Sequence, residues 1–243
     1  MQHWTDVTSD PNSKTARQLR QAQLAATWRP SIEGRLSYFE EVCRDATVLN
    51  LGCVDQVPEG YQIAPLHRRL SAVAARCVGI DINVPGVASL RAEGFEVVQG
   101  DVTDPELPST LPCSFDVVIA GEIIEHVVNV GGLLANAWTL LKPDGRLFIS
   151  LPNPYLLATA VGETLGWFSG NADHIAEYRP YGMIELAART QFELTSWRGE
   201  ANPKFWEGKR RPLGLLARCV SALRPQSVAD CGSIVYEFSR VSG

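Results

Sequence analysis

Short apolar runs, four of which stop on a glycine or an acid, spaced by stretches of helical period, constrain this chain most. ATVLNL, Ala46 to Leu51, gives way to Gly52. CVGID, Cys77 to Asp81, ends on an acid, and Phe95 to Gln99 is followed by Gly100-Asp101. Phe115 to Ala120 turns at Gly121, and Arg146 to Leu151 makes a fifth run. Between them, Leu66 to Arg76, Pro85 to Glu93 and Gly132 to Leu141 read as helices. Continuous apolar strands alternating with helices predict an α/β fold, a mostly parallel sheet with helices on both faces. Such sheets hold ligands beyond the carboxyl ends of their strands, which directs attention to Gly52, Asp81, Asp101 and Gly121.

The flanks are less regular. Residues 1–30 read as a loose polar arm followed by a helix, Ser13 to Trp28, with Ser13 as its cap and Pro30 as its stop. Residues 31–243 read as one domain that opens with a short helix, Ile32 to Cys43. After Leu151, Tyr181 to Thr190 is a helix, Gln191 to Trp197 a strand, and Ile234 to Val241 a last strand able to pair antiparallel with its predecessor. An insertion at about 199–232 carries a basic cluster (Lys204, Lys209, Arg210, Arg211) and an amphipathic run, Leu213 to Leu223. That run suits a lid, a dimer contact or a membrane-surface helix.

The 243 residues suffice for one large core, and the net charge of −5 argues against nucleic acid as the main partner. The six cysteines form no CxxC pair and several lie in apolar runs, so they read as buried free thiols. MQHWTDVTSD has no basic region followed by an apolar run, and no apolar stretch approaches membrane-spanning length. The expectation is a cytoplasmic protein with no membrane span.

The chemistry concentrates in FDVVIAGEIIEHV, Phe115 to Val127. If the segment after Gly121 is helical, Glu122, Glu125 and His126 share one face just past a strand end. Two carboxylates and an imidazole there serve either as a metal site, as an acid-base pocket, or simply as a solvated helix face. His67 reads as a surface residue after a turn. Tyr155, Trp167, Phe168, Tyr178 and Tyr181 read equally as sugar-stacking rings or as an apolar lid.

The series VLNLGC, VGIDI, VVQGDVTD, FDVVIAGEIIEHV and LKPDGRLFISLPN resembles the class I S-adenosylmethionine-dependent methyltransferases. That resemblance spans roughly Arg35 to Val241. It implies a seven-stranded sheet of order 3-2-1-4-5-7-6 with the last strand antiparallel, making 31–243 the methyltransferase domain. It places Gly52 near the methionine part of the cofactor, Asp81 on the ribose, and Asp101 with Val102 around the adenine. Asn50, Ile82 and Gly121 belong to the same cofactor site, and Arg35 resembles an arginine that meets the cofactor carboxylate in ubiquinone-type O-methyltransferases. The family usually has Asp in place of Asn50, and glycines where Val54 and Gln56 stand. Glu122, Glu125 and His126 resemble the Mg2+ site of ubiquinone-biosynthesis and small-RNA terminal 2′-O-methyltransferases. The latter add a downstream histidine, which the Pro152-Asn153 to Glu177-Tyr178 register matches to His174. Mn2+ or another divalent ion also suits two carboxylates and two histidines. Besides holding the ion, Glu125, His126 and His174 are the candidate catalytic residues.

Sugar hydroxyls are weak nucleophiles, and a divalent cation that chelates two of them lowers the pKa of one and fixes its direction. The segment from Leu66 to Asp101 resembles methyltransferases encoded with polysaccharide-building enzymes, which suggests a mannoside acceptor. The leading expectation is a metal-assisted O-methyltransferase on a sugar or oligosaccharide, working alone or as a homodimer. The alternatives are an RNA 2′-O-methyltransferase, a metal-free methyltransferase of secondary metabolism, and a non-catalytic binding protein on the same fold.

Overall fold

The computed structural model describes residues 2–54, 66–111, 114–168, 170–201, 206, 211–224 and 226–241. Its strands are β1 (Thr47–Leu51), β2 (Arg76–Asp81), β3 (Val97–Gln99), β4 (Phe115–Gly121), β5 (Leu141–Pro152), β6 (Phe192–Ala201) and β7 (Cys231–Arg240). They form one seven-stranded sheet in the order 3-2-1-4-5-7-6. β7 runs antiparallel to both β5 and β6, and the remaining pairs are parallel.

Period-2 alternation sorts side chains between the two faces. Leu49, Leu51, Val118, Ala120, Leu147 and Ile149 join one core. That core is closed by α1 (Lys14–Thr27), α5 (Val130–Leu140) and α7 (Pro180–Arg189). Val48, Val117, Ile119 and Phe148 point the other way, under α2 (Arg35–Cys43) and α3 (Leu66–Val73). α4 (Val84–Ala92) covers the β3 edge through Val87 and Leu90. Ser13 caps α1 as expected, and two asparagines not singled out from the sequence cap α4 and α5. Ser13 accepts from the Ala16 N–H, Asn83 from Gly86 and Asn129 from Gly132.

Several expectations need correction. The first residues are not a loose arm: Trp4 Nε1 donates to Glu185 Oε2 at 3.1 Å, and Arg20 Nη2 reaches the same oxygen. Trp197 Nε1 donates to the Leu24 carbonyl at 2.9 Å, and Trp28 bridges to Trp197, which ties α1 to the β6 edge. Lys142-Pro143-Asp144-Gly145 lie inside β5. β5 begins at Leu141, and its register with β4 jumps between the Leu141–Phe115 and Arg146–Val117 pairs, so the turn residues form a bulge. An unforeseen helix, α6 (Leu157–Thr164), follows β5. The amphipathic run is α8 (Arg211–Leu223), whereas Lys204, Lys209, Arg210 and Gln56 lie outside the described residues. Of the cysteines, Cys43, Cys53, Cys77 and Cys231 are buried and make no disulfide, Cys219 is exposed and makes none either, and Cys113 lies outside the described residues. Among the described residues no helix is long and apolar enough to cross a membrane.

His67 is not a surface residue. It is fully buried in α3, edge-on to Phe95, with Nδ1 3.5 Å from Asn50 Nδ2 and 3.8 Å from Cys77 Sγ. Burial, aided by the neighbouring Arg68 charge, pushes its pKa down to about 4, so the ring is neutral at physiological pH. The apolar period of α3 decides this placement, since Leu66 and Leu70 on the same face are core residues.

Candidate active site

Two groups of residues line the carboxyl edge of the sheet. The first surrounds the exits of β1, β2 and β3. Gly52 has φ +71°, a conformation that favours glycine, and a Cβ there would stand 2.7 Å from Ile123 Cδ1, whose tip would have to shift. Asp81 is largely buried. Its two carboxylate oxygens accept from the Val54 and Asn83 N–H groups, each at 2.8 Å, which locks the β1 and β2 exits together. Val54, standing where the family has glycine, packs its side chain over Gly86 at the start of α4. Ile82 is 67% exposed, an apolar surface offered beside Asp81. Asp101 accepts from the Thr103 N–H and hydroxyl at 2.8 Å, while buried Val102 lends its carbonyl to Asn136 Nδ2 at 2.9 Å. Asn50 is buried beside His67, and its Oδ1 has no hydrogen-bond partner.

The second group lies past β4, and here the expected helix is absent. Glu122 takes φ +53°, a conformation uncommon for a residue with a side chain, and donates its N–H to the Ser150 carbonyl at 2.8 Å. A single 3-10 turn, Ile124–His126, follows. Glu122, Glu125 and His126 are therefore aimed by the exit turn of β4 and not by helical spacing. Arg35 Nη1 stands 2.7 Å from Glu122 Oε1, although without hydrogen-bond alignment, and donates to Ser150 Oγ at 2.8 Å. Gly121, at the strand end, approaches Leu66 so closely that a Cβ would lie 2.9 Å from Leu66 Cδ2.

His174 comes to this turn from the segment between α6 and α7. The Ile175 N–H donates to the Glu125 carbonyl at 2.9 Å, and Asp173 Oδ2 lies 2.9 Å from His126 Nδ1. The His126 and His174 rings meet edge-on with centroids 4.7 Å apart. One ligand atom from each of Glu125, His126 and His174 falls within 4.8 Å of the others. Glu122 is not in that set. It is close enough, however, to disfavour charge on Glu125 and favour it on His174.

Glu125 is 2% exposed, and neither carboxylate oxygen has a hydrogen-bond partner. Burial, with help from the Glu122 charge, pushes its pKa up to about 7. Desolvation and the adjacent His126 hold His174 below the ordinary imidazole value. An orphaned buried carboxylate beside two imidazoles is a donor set that fits a divalent cation.

Glu125 and His174 open onto a cleft of about 180 Å³. Its walls include Asn153 and Pro154 after β5, Thr159 and Glu163 of α6, and Glu177 and Tyr178 before α7. Asn153 Nδ2 donates to the Val228 and Cys231 carbonyls, clipping the β5 exit to the start of β7. Of the five aromatics considered from sequence, Tyr178 lines the cleft and packs on the core. Trp167 and Phe168 are largely exposed, as in part are Tyr155 and Tyr181, so they form no closed lid. Asp173 as the partner of His126, and α6 as a wall, were not foreseen. The Asp173-His174 pair was the available signal for the first.

A methyltransferase-domain family model matches residues 15–196. The ubiquinone biosynthesis O-methyltransferase of Paraburkholderia xenovorans (strain LB400) is 27% identical over 163 residues, covering 63% of this chain and 67% of that protein. The same-named protein of Aeromonas salmonicida (strain A449) is 32% identical over 126 residues, covering 49% of this chain and 50% of its own. The chain thus spans about half to two thirds of the length of these curated relatives. An S-adenosylmethionine-dependent methyltransferase structure from Archaeoglobus fulgidus superposes with a TM-score of 0.57 at 17% identity, covering 92% of this chain and 94% of that one. Magnesium protoporphyrin IX methyltransferase from Synechocystis PCC 6803, solved with bound S-adenosylhomocysteine, gives 0.55 at 12% identity, covering 98% and 93%. With the sheet order and the strand-end residues above, this chain belongs to the methyltransferase-domain family of class I S-adenosylmethionine-dependent enzymes.

Proposed function

We propose that the chain transfers the methyl group of S-adenosylmethionine to a hydroxyl oxygen of a sugar or oligosaccharide, a methylated mannoside among the candidates, with a divalent cation at the reacting centre. The observation that carries this reading is the convergence of Glu125, His126 and His174 on one point beside the acceptor cleft.

The cofactor would lie along the first group of residues. Gly52 admits its close approach, Asp81 and Asp101 face its hydroxyl and amino groups, Ile82 and Val102 its base, and Arg35 its carboxylate. It supplies an electrophilic methyl on a sulfonium. Glu125, His126 and His174 would hold Mg2+ or Mn2+, which when bound lowers the pKa of a neighbouring hydroxyl. Glu122, paired with Arg35, stands next to that set. Asp173 holds the His126 ring through Nδ1. The proton that the acceptor oxygen loses, as its bond to the methyl carbon forms and the carbon–sulfur bond breaks, would pass to one of the carboxylates or imidazoles of this cluster. The polar walls of Asn153, Glu163, Glu177 and Tyr178 suit a polyhydroxylated acceptor. A catechol-like acceptor is the second reading, favoured by the names of the curated relatives.

The test is methyl transfer from labelled S-adenosylmethionine to sugars, oligosaccharides, catechols and short RNA, with and without divalent ions. Transfer to a hydroxyl that chelator abolishes and Mg2+ or Mn2+ restores is expected. Transfer undiminished by chelator sinks the metal reading, and RNA as the preferred acceptor sinks the sugar reading. Absence of cofactor binding by calorimetry would point to the non-catalytic alternative.

A further inference from the structure

α8 is an inserted element. The seven-stranded sheet is complete without it, and it rests on the body through a small satellite core. Ala217 is fully buried there with Trp206 and Leu156, and Leu157 and Ala158 of α6 pack beside them. Gly214 meets Trp206 so closely that a Cβ would lie 2.7 Å from its Cβ, and Ser221 Oγ donates to Asp230 Oδ1 at 2.7 Å. This settles which face of the helix points inward.

The outward face is apolar. Leu215, Leu216, Cys219, Val220 and Leu223 are all exposed, with Leu223 at 80%, and their spacing of one, three, one and three residues makes a continuous stripe. A soluble helix normally turns such a stripe to the core and its polar residues to water. α8 buries Gly214 and Ala217, with Leu213 half-buried beside them, and presents Leu215, Leu216 and Leu223. The segment leaving α6, the helix α8 leans on, adds exposed Leu165, Trp167 and Phe168.

The charge around the stripe is equally one-sided. From Pro212 to Arg224 there are two cations, Arg218 and Arg224, and no carboxylate, in a chain whose net charge is −5. Arg218 and Arg224 are exposed beside the stripe. Apolar side chains flanked by cations match a bilayer with anionic headgroups: the aliphatic groups enter the acyl boundary while the cations stay at headgroup level. A second copy of the chain fits less well. Arg218 and Arg224 of the two copies would bring like charges together across such a contact.

We infer that the outer face of α8 is a peripheral docking surface for an anionic lipid bilayer. Because α8 packs on α6, and α6 supplies Thr159 and Glu163 to the cleft, docking would hold the cleft in a fixed relation to the membrane.

The experiment is co-sedimentation of the full chain with phosphatidylcholine vesicles, with and without phosphatidylglycerol, at low and high salt. Binding to the anionic vesicles, weakened tenfold or more by salt or by omitting phosphatidylglycerol, is expected. The double variants Leu216→Glu/Leu223→Glu and Arg218→Glu/Arg224→Glu are expected to lose it while keeping the wild-type melting temperature and cofactor affinity. None of these residues belongs to the cofactor or acceptor machinery, so the outcome is independent of the proposed reaction. Wild-type protein that stays in the supernatant at every composition overturns the inference. So does a dimer, seen by analytical ultracentrifugation, that the leucine variants dissolve while vesicle binding is absent.

Discussion

The two halves of the carboxyl edge are built differently. In the cofactor half, the exits of β1 to β3, the acids are already satisfied by their own loops: Asp81 holds Val54 and Asn83, and Asp101 holds Thr103. In the acceptor half, past β4 and β5, Glu125 is buried with both oxygens unpartnered, and besides its own neighbour His126 the cluster takes Asp173 and His174 from the segment before α7. The first half is organised before any ligand arrives. The second stores an unfavourable electrostatic arrangement that a proton or a cation would relieve. Sites that do chemistry commonly carry such a cost, and sites that only bind need not.

If that contrast holds, Glu125→Gln strikes catalysis alone. Methyl transfer should fall by about a hundred- to ten-thousandfold while cofactor affinity changes less than about twofold. Equal losses in both would erase the distinction between the halves. Asp81→Ala should do the reverse, raising the cofactor Kd by roughly a hundredfold, because it removes a charged acceptor and also releases two loop N–H groups. Isothermal titration calorimetry reads both effects.

The stored cost should also be visible in stability. The folded Glu125 pKa of about 7 lies above the ordinary carboxyl value of 4.5, so the folded state binds the proton more tightly. Its stability therefore falls as pH rises from about 4.5 through about 7, by roughly 3 kcal/mol in all, and then levels. In chelator, Glu125→Gln should be more stable than wild type by up to about that amount at pH 8, with the gain vanishing near pH 4. Urea denaturation at the two pH values measures it, and no gain at pH 8 would show that Glu125 is not held uncompensated. The smallest effect is expected at Gly52→Ala. The left-handed φ and the Ile123 contact should cost about 1 kcal/mol of stability and up to about tenfold in cofactor affinity.

The same contrast explains what could be read in advance. The cofactor half is local: each strand ends where its apolar run ends, and its glycine or acid is the next residue, so Gly52, Asp81 and Asp101 were visible as a series. The acceptor half is not. Glu125, His126 and His174 were legible as residue types in register with a known pattern, but the helix assumed to aim Glu122, Glu125 and His126 is a left-handed residue followed by a 3-10 turn. His67 went the other way, a polar residue drawn inside by the apolar face of α3.

Amino-acid order alone determined the alternation of strands and helices, and with it the sheet, because burial periodicity is a property of neighbouring residues. It also determined which chemical groups stand at the strand ends. Tertiary structure alone decided that Ile175 bonds to Glu125 and brings His174 beside His126, that Arg35 reaches Glu122, and that α8 turns Leu215, Leu216 and Leu223 to solvent. Those outcomes depend on contacts between residues far apart in the chain, where desolvation and packing, not spacing, set each side chain's partner and charge.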